Sequence, residues 1–101
     1  MLNNPAEALK QFIKYVQLER NFSVHTVREY ETDIKQFLAF LEGEGIQCLT
    51  DVEYIHARLY VTKLYDENLA RTSISRKISS IRSFFRYLNR EFDLDDAPFR
   101  S

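Results

Sequence analysis

Residues 70–90 read ARTSISRKISSIRSFFRYLNR. Ile74, Ile78, Ile81, Phe85 and Leu88 recur at the period of one helix face, with ~100° between successive residues. The stretch predicts an amphipathic helix from Thr72 to about Glu91, with the Ile74 stripe as its core face. Thr72, Ser75, Arg76, Ser79, Arg82, Ser83, Arg86 and Arg90 fall on the opposite arc, which carries no acid. Lys77 falls at the edge of the stripe, where a lysine stem packs while its amine stays in solvent.

Three more helices are expected upstream. Asn4 is a candidate N-cap with Pro5 at the first helical position and Glu7 in a capping-box-like place, opening a helix over 5–20. Leu9, Phe12, Ile13 and Val16 form its stripe, and Asn21 is its stop. Ser23 caps a second helix over 24–42, with Phe22 and Val27 placed as a hydrophobic staple and Gly43 and Gly45 ending it. Its core face is Val27, Ile34, Leu38 and Leu41, widened by Tyr30 and Phe37. "TDVE" puts Thr50 at a cap with Glu53 three residues on, so the third helix is expected over 51–67. Its apolar residues Val52, Ile55, Leu59, Val61 and Leu64 run around much of the helix, which predicts a central, buried element. Residues 93–101, DLDDAPFRS, lack periodicity and read as an acidic linker.

The totals agree with an all-α, compact four-helix bundle over residues 1–92. Hydrophobic residues are 45% and charged residues 29% of the chain, the balance of a folded domain rather than a disordered segment. Two Gly and two Pro leave little material for hairpin turns. No stretch alternates like a strand, and no apolar run approaches the ~18 residues of a membrane span. The opening MLNNPAEALKQF has no secretory pattern. A cytoplasmic protein with no membrane partner is the expectation. Cys48, His25 and His56 are too few and too scattered for a zinc site, so no metal, no cofactor and no catalytic residue is expected.

Charge is distributed unevenly. Arg71, Arg76, Lys77, Arg82, Arg86 and Arg90 lie in a segment without acids, while all fifteen acids face the other eight bases, so a +6 segment rests on a −7 body. Such asymmetry points to a polyanionic partner. A solvated helix face ordinarily mixes Glu with Lys and Arg, because opposite charges at i, i+4 stabilise it. Here serine and threonine replace the acids. They are small enough to let a helix approach a phosphate backbone, and arginine's forked donors suit phosphate oxygens and the guanine edge. The backbone N–H groups at the Thr72 end add a further anion site. Arg71, Thr72, Ser75, Arg76, Ser79, Arg82, Ser83 and Arg86 are therefore the candidate DNA contacts of the fourth helix. On the second helix His25, Arg28, Thr32 and Lys35 face away from the core and form a weaker candidate surface, interrupted by Glu29. Arg76→Ala and Arg86→Ala are both expected to weaken DNA binding with little loss of stability. A solvated basic face, or one that meets an acidic protein, is the alternative.

Ser23, Thr26, Tyr30, Asp33, Phe37, Phe40 and Leu41 match the pattern Ser-x-x-Thr-x-x-x-Tyr-x-x-Asp-x-x-x-Phe-x-x-Phe-Leu of tyrosine recombinases. Thr72, Arg76, Ser80, Arg82, Phe84, Phe85, Tyr87 and Leu88 match their later helix. From about Glu7 to Phe92 the chain resembles the N-terminal core-binding domain of Xer-type tyrosine recombinases. The resemblance implies a SAM-like four-helix bundle whose second and fourth helices cross the DNA major groove at one recombination half-site. It further implies a catalytic domain after the linker, a partner recombinase and a tetrameric synaptic complex. Strand exchange there proceeds through a phosphotyrosine on that other domain, so none of the six tyrosines here is the nucleophile. A chromosome dimer resolution protein is the first expectation, and a phage or transposon integrase the alternative.

Overall fold

The structure, a computed structural model, describes residues 4–92. It contains α1 (Pro5–Leu18), α2 (Val24–Gly43), a 3-10 turn (Leu49–Asp51), α3 (Tyr54–Asp66) and α4 (Arg71–Phe92), and no strand among the described residues. The linker expected over 93–101 lies outside them.

Local chemistry sets the helix ends. The Asn4 side chain accepts from the N–H groups of Ala6 (2.9 Å) and Glu7 (3.3 Å), with Pro5 behind it. Ser23 Oγ accepts from the Thr26 N–H at 3.2 Å. These side chains satisfy backbone donors that the first turn leaves unpaired. Each α1–α3 exit passes through a left-handed residue: Asn21 (φ 54°), Gly45 (φ 82°) and Asn68 (φ 60°). At Gly45 the motif is complete, with Ile46 N–H donating to Leu41 O (2.9 Å) and Gly45 N–H to Glu42 O (3.0 Å). Helix α1 stops at Leu18, two residues short of the expected end, and α4 begins at Arg71, one residue early.

The third helix differs most from its expectation. Thr50 lies in the 3-10 turn, and Val52 and Glu53 are extended (ψ 127° and 169°). The cap is at Glu53, whose N–H donates to His56 Nδ1 at 2.8 Å. Val52 therefore does not share a helical phase with Ile55 and Leu59. Restarting the helix at Tyr54 turns Ala57, Tyr60 and Leu64 inward, while Tyr54 and Ile55 are more than half exposed. Helix α3 is thus a flank of the domain rather than its centre.

The centre is the α2–α4 pair, each of which packs against all three other helices. Phe12 of α1 meets Tyr30 of α2 and Phe84 and Tyr87 of α4, with ring centroids 5.9, 5.5 and 5.4 Å apart. Phe37 of α2 meets Tyr60 of α3 at 5.1 Å and Phe85 of α4 at 6.2 Å. Such ring pairs stabilise by ~0.5–1.5 kcal/mol beyond their buried area. The buried face of α4 is wider than the isoleucine stripe: Lys77, Ser80, Phe84 and Tyr87 are buried beside Ile74, Ile81, Phe85 and Leu88, while Ile78 is only partly buried. The inward direction is turned toward the Lys77–Ser80–Phe84 side, because α1 and α2 pack there.

A candidate nucleic-acid interface on α2 and α4

Between the two aromatic clusters α2 carries one acid on its apolar side. Asp33 is fully buried, between Tyr30 and Phe37 in sequence and beside Ile34. A bare carboxylate there would be costly. Helix α4 supplies its partners. Arg76 donates through Nε to Oδ2 at 3.2 Å and through Nη2 to Oδ1 at 2.8 Å. Lys77 Nζ donates to Oδ1 at 3.2 Å and to Gln36 Oε1 at 2.6 Å. Ser80 Oγ donates to Oδ2 at 2.8 Å. Four donors fill the ~four lone-pair sites of a carboxylate. Burial alone would push the Asp33 carboxyl up, but the bonds from Arg76, Ser80 and Lys77 outweigh it and hold it below the usual carboxylate value. Bonding to Asp33 raises the Arg76 guanidinium above its ordinary value.

Two readings of α4 change as a result. Lys77 does not extend its amine into solvent; it is buried, and the amine ends on Asp33 and Gln36. Arg76 is not a detached member of the outer arc. Its side chain is 42% exposed, yet its guanidinium is spent on Asp33 and lies 3.6 Å from Glu29. A buried acid within reach holds these cations more strongly than water does. For the same reason Arg76→Ala is now expected to cost stability.

The remaining outer arc of α4 keeps its expected orientation. Arg71, Thr72, Ser75, Ser79 and Arg86 are exposed, and Arg82 and Ser83 are partly exposed. Arg71 and Arg86 have no acidic partner among the described residues. On α2 the surface is mixed. His25 lies 3.6 Å from Glu29 and Lys35 lies 3.5 Å from Glu31, while Arg28 and Thr32 are exposed without an ion pair among the described residues. Arg76 bridges to Glu29 and Asp33, so the outward sides of α2 and α4 adjoin along one seam. The sequence reading gave Asp33 and Ser80 no role. Their signal was present, since an acid on the apolar face of one helix and a serine on that of another mark a buried polar contact.

The model of the phage integrase N-terminal SAM-like domain matches residues 9–92. The chain belongs to this family. Members of the integrase SAM-like family with similar sequences include proteins named tyrosine recombinase XerC. That of Oceanobacillus iheyensis is 43% identical over 87% of this chain and 29% of its own length. Those of Bacillus subtilis and Anoxybacillus flavithermus are 35% and 40% identical over 98% and 97% of this chain, and 33% of their own lengths. The chain therefore spans about a third of the curated relatives it matches. A search of solved structures gave no match. Among the described residues no helix is long and apolar enough to cross a membrane.

Proposed function

We propose that this integrase SAM-like domain binds double-stranded DNA and grips one recombination half-site through the major groove. The acid-free outer arc of α4 carries the reading. Arg76 and Lys77 pair with Asp33, and the outer arc that remains between Arg71 and Arg86 is arginine, serine and threonine. Arg71, Thr72, Ser75, Ser79, Arg82, Ser83 and Arg86 make the contacts from α4. Arg28 and Thr32 join them from α2, with His25 and Lys35 at its acid-tempered edge. Most of these contacts go to phosphates, which position the domain, and few to base edges, which specify sequence. Arg76 acts by holding the two helices rather than as a principal contact.

In the parent protein the domain is the DNA-gripping part of a tyrosine recombinase, joined through residues 93–101 to the catalytic domain. Strand exchange there passes through a phosphotyrosine, with a partner recombinase in a tetrameric complex, in the service of chromosome dimer resolution. The names of the similar proteins support the tyrosine recombinase part of this reading.

An amide NMR titration with a short duplex bearing a Xer-type half-site, repeated with a scrambled duplex, tests the proposal. The expected result is shifts along the outer arc of α4 and the exposed side of α2, larger with the half-site. No shifts at low salt would overturn it in favour of an acidic protein partner.

A further inference from the structure

Near the C-terminal half of α4, away from Asp33, a cavity of about 130 Å³ opens between α1, α2 and α4. Its walls include Arg20, Arg86 and Arg90 and the hydroxyl side chains of Tyr15, Tyr30 and Ser83, over a floor that contains Phe12 and Tyr87. No acid lines it. Two guanidiniums are fixed on aromatic rings: Arg20 lies 5.0 Å over Phe22, and Arg90 lies 5.0 Å over Tyr15. Stacking of this kind orients a guanidinium's N–H edge without consuming its donors. The nearest acid partner is Glu91, which accepts from Arg90 Nε at 3.2 Å. Arg20 and Arg86 make no ion pair among the described residues. Hydrogen bonds from Arg20 and Arg90 hold the Tyr15 hydroxyl below its ordinary pKa, the mark of a positive local field.

Three cations around a small cavity repel one another unless an anion joins them. The volume is that of ~four waters at about 30 Å³ each, and far below the ~300 Å³ at which drug-sized ligand sites begin. That suits a tetrahedral oxyanion.

We propose that this cavity is a phosphate site that takes one backbone phosphodiester of a bound duplex, with Arg20 of the α1–α2 connection as a contact outside the α2 and α4 faces. The proposal rests on the DNA-binding reading above and extends the interface to the connection between α1 and α2. Arg86 and Ser83 belong to both the cavity and the outer arc, so the cavity continues that surface. Helix α4 is about 33 Å long at ~1.5 Å per residue, against a major groove ~12 Å wide. A helix that crosses the groove therefore carries its far end onto the flanking strand, where phosphates lie.

The test uses the 101-residue chain, with Arg20→Gln and Tyr30→Phe as variants outside the α4 arc. Arginine Nε–H resonances are followed first with inorganic phosphate and then with the half-site duplex, after melting curves confirm that each variant is folded. The expected result is that phosphate and duplex both shift Arg20 and Arg86. Arg20→Gln should weaken duplex binding about three- to tenfold and reduce its salt slope by about one, while the amide shifts near Arg71 and Ser75 persist. Wild-type duplex affinity and salt slope in Arg20→Gln, with the Arg71-end shifts retained, would overturn the phosphate site and leave DNA binding standing. Phosphate shifts combined with an unchanged duplex affinity in Arg20→Gln would make it a site for free oxyanion, and the backbone assignment would fail. If no duplex binds the wild-type chain, the DNA reading and with it the backbone assignment fail, whatever inorganic phosphate does.

Discussion

Arg76 and Arg86 lie ten residues apart on one helix, and the sequence offers no reason to treat them differently. Both are arginines of the same acid-free arc. The structure separates them by what stands opposite. Arg76 faces Asp33, fully buried on α2, and becomes part of a bond set that ties two helices together. Arg86 faces a small cavity and solvent, with no ion pair among the described residues. The lesson is that a basic helix face is a mixture of charges with different duties, and a wheel alone cannot sort them. The partner that does so sits 43 residues away in sequence.

The contrast is broken most severely by removing the acid. Asp33→Ala leaves Lys77 buried without its carboxylate, so a loss of about 3–5 kcal/mol is expected in chemical denaturation. A loss below ~1 kcal/mol would mean that Lys77 escapes to solvent and the cluster is dispensable. Arg76→Ala should cost less, about 1–2 kcal/mol, because Asp33 keeps Lys77 and Ser80 and because the arginine is partly exposed and solvent-screened. Equal effects on duplex affinity from Arg76→Ala and Arg86→Ala, with stability untouched in both, would erase the distinction.

Acid sharpens it further. The folded Asp33 carboxyl is held below its unfolded value of ~3.9. Its contribution to stability is therefore present above that value and is lost as pH falls through the lower, folded one. Stability measured from pH 5 downward should fall in the wild type, and the fall should be shallower in Asp33→Asn. Parallel curves would show that other carboxylates govern the acid limb. The smallest structural effect belongs to Arg86→Ala, with a stability change within about 0.5 kcal/mol, as for an exposed surface position. Its consequence should appear in the salt dependence of duplex binding, as a slope lower by about one.

Most of the architecture was readable from residues. Asn4, Ser23, Asn21 and Gly45 mark their boundaries through backbone chemistry that operates within a few positions, so sequence alone reports it. The amphipathic character of α4 was equally plain. The third helix was misplaced because TDVE satisfies a capping pattern that the chain does not use. The extended Val52 and Glu53 shift the phase of everything after them, and local propensity carries no trace of that shift. Lys77 and Arg76 were misread for the opposite reason. Their placement is decided by α2, through contacts that no window of α4 contains. The outer arc was legible in the absence of acids, and the Arg20 cavity was not, because its three arginines come from one helix and a distant connection and meet only in space.

The Asp33 bond set lies at the seam between the two helices that present the outer surface. A joint of this kind acts like a rivet: it fixes the angle between two plates and leaves neither free to conform. A duplex laid on such a surface meets a template of set shape, and the misfit must be taken up by the DNA. Bending and groove width vary with base sequence. On the DNA-binding reading proposed above, selectivity would extend to steps that no side chain touches, and loosening the rivet should blur it before affinity is lost.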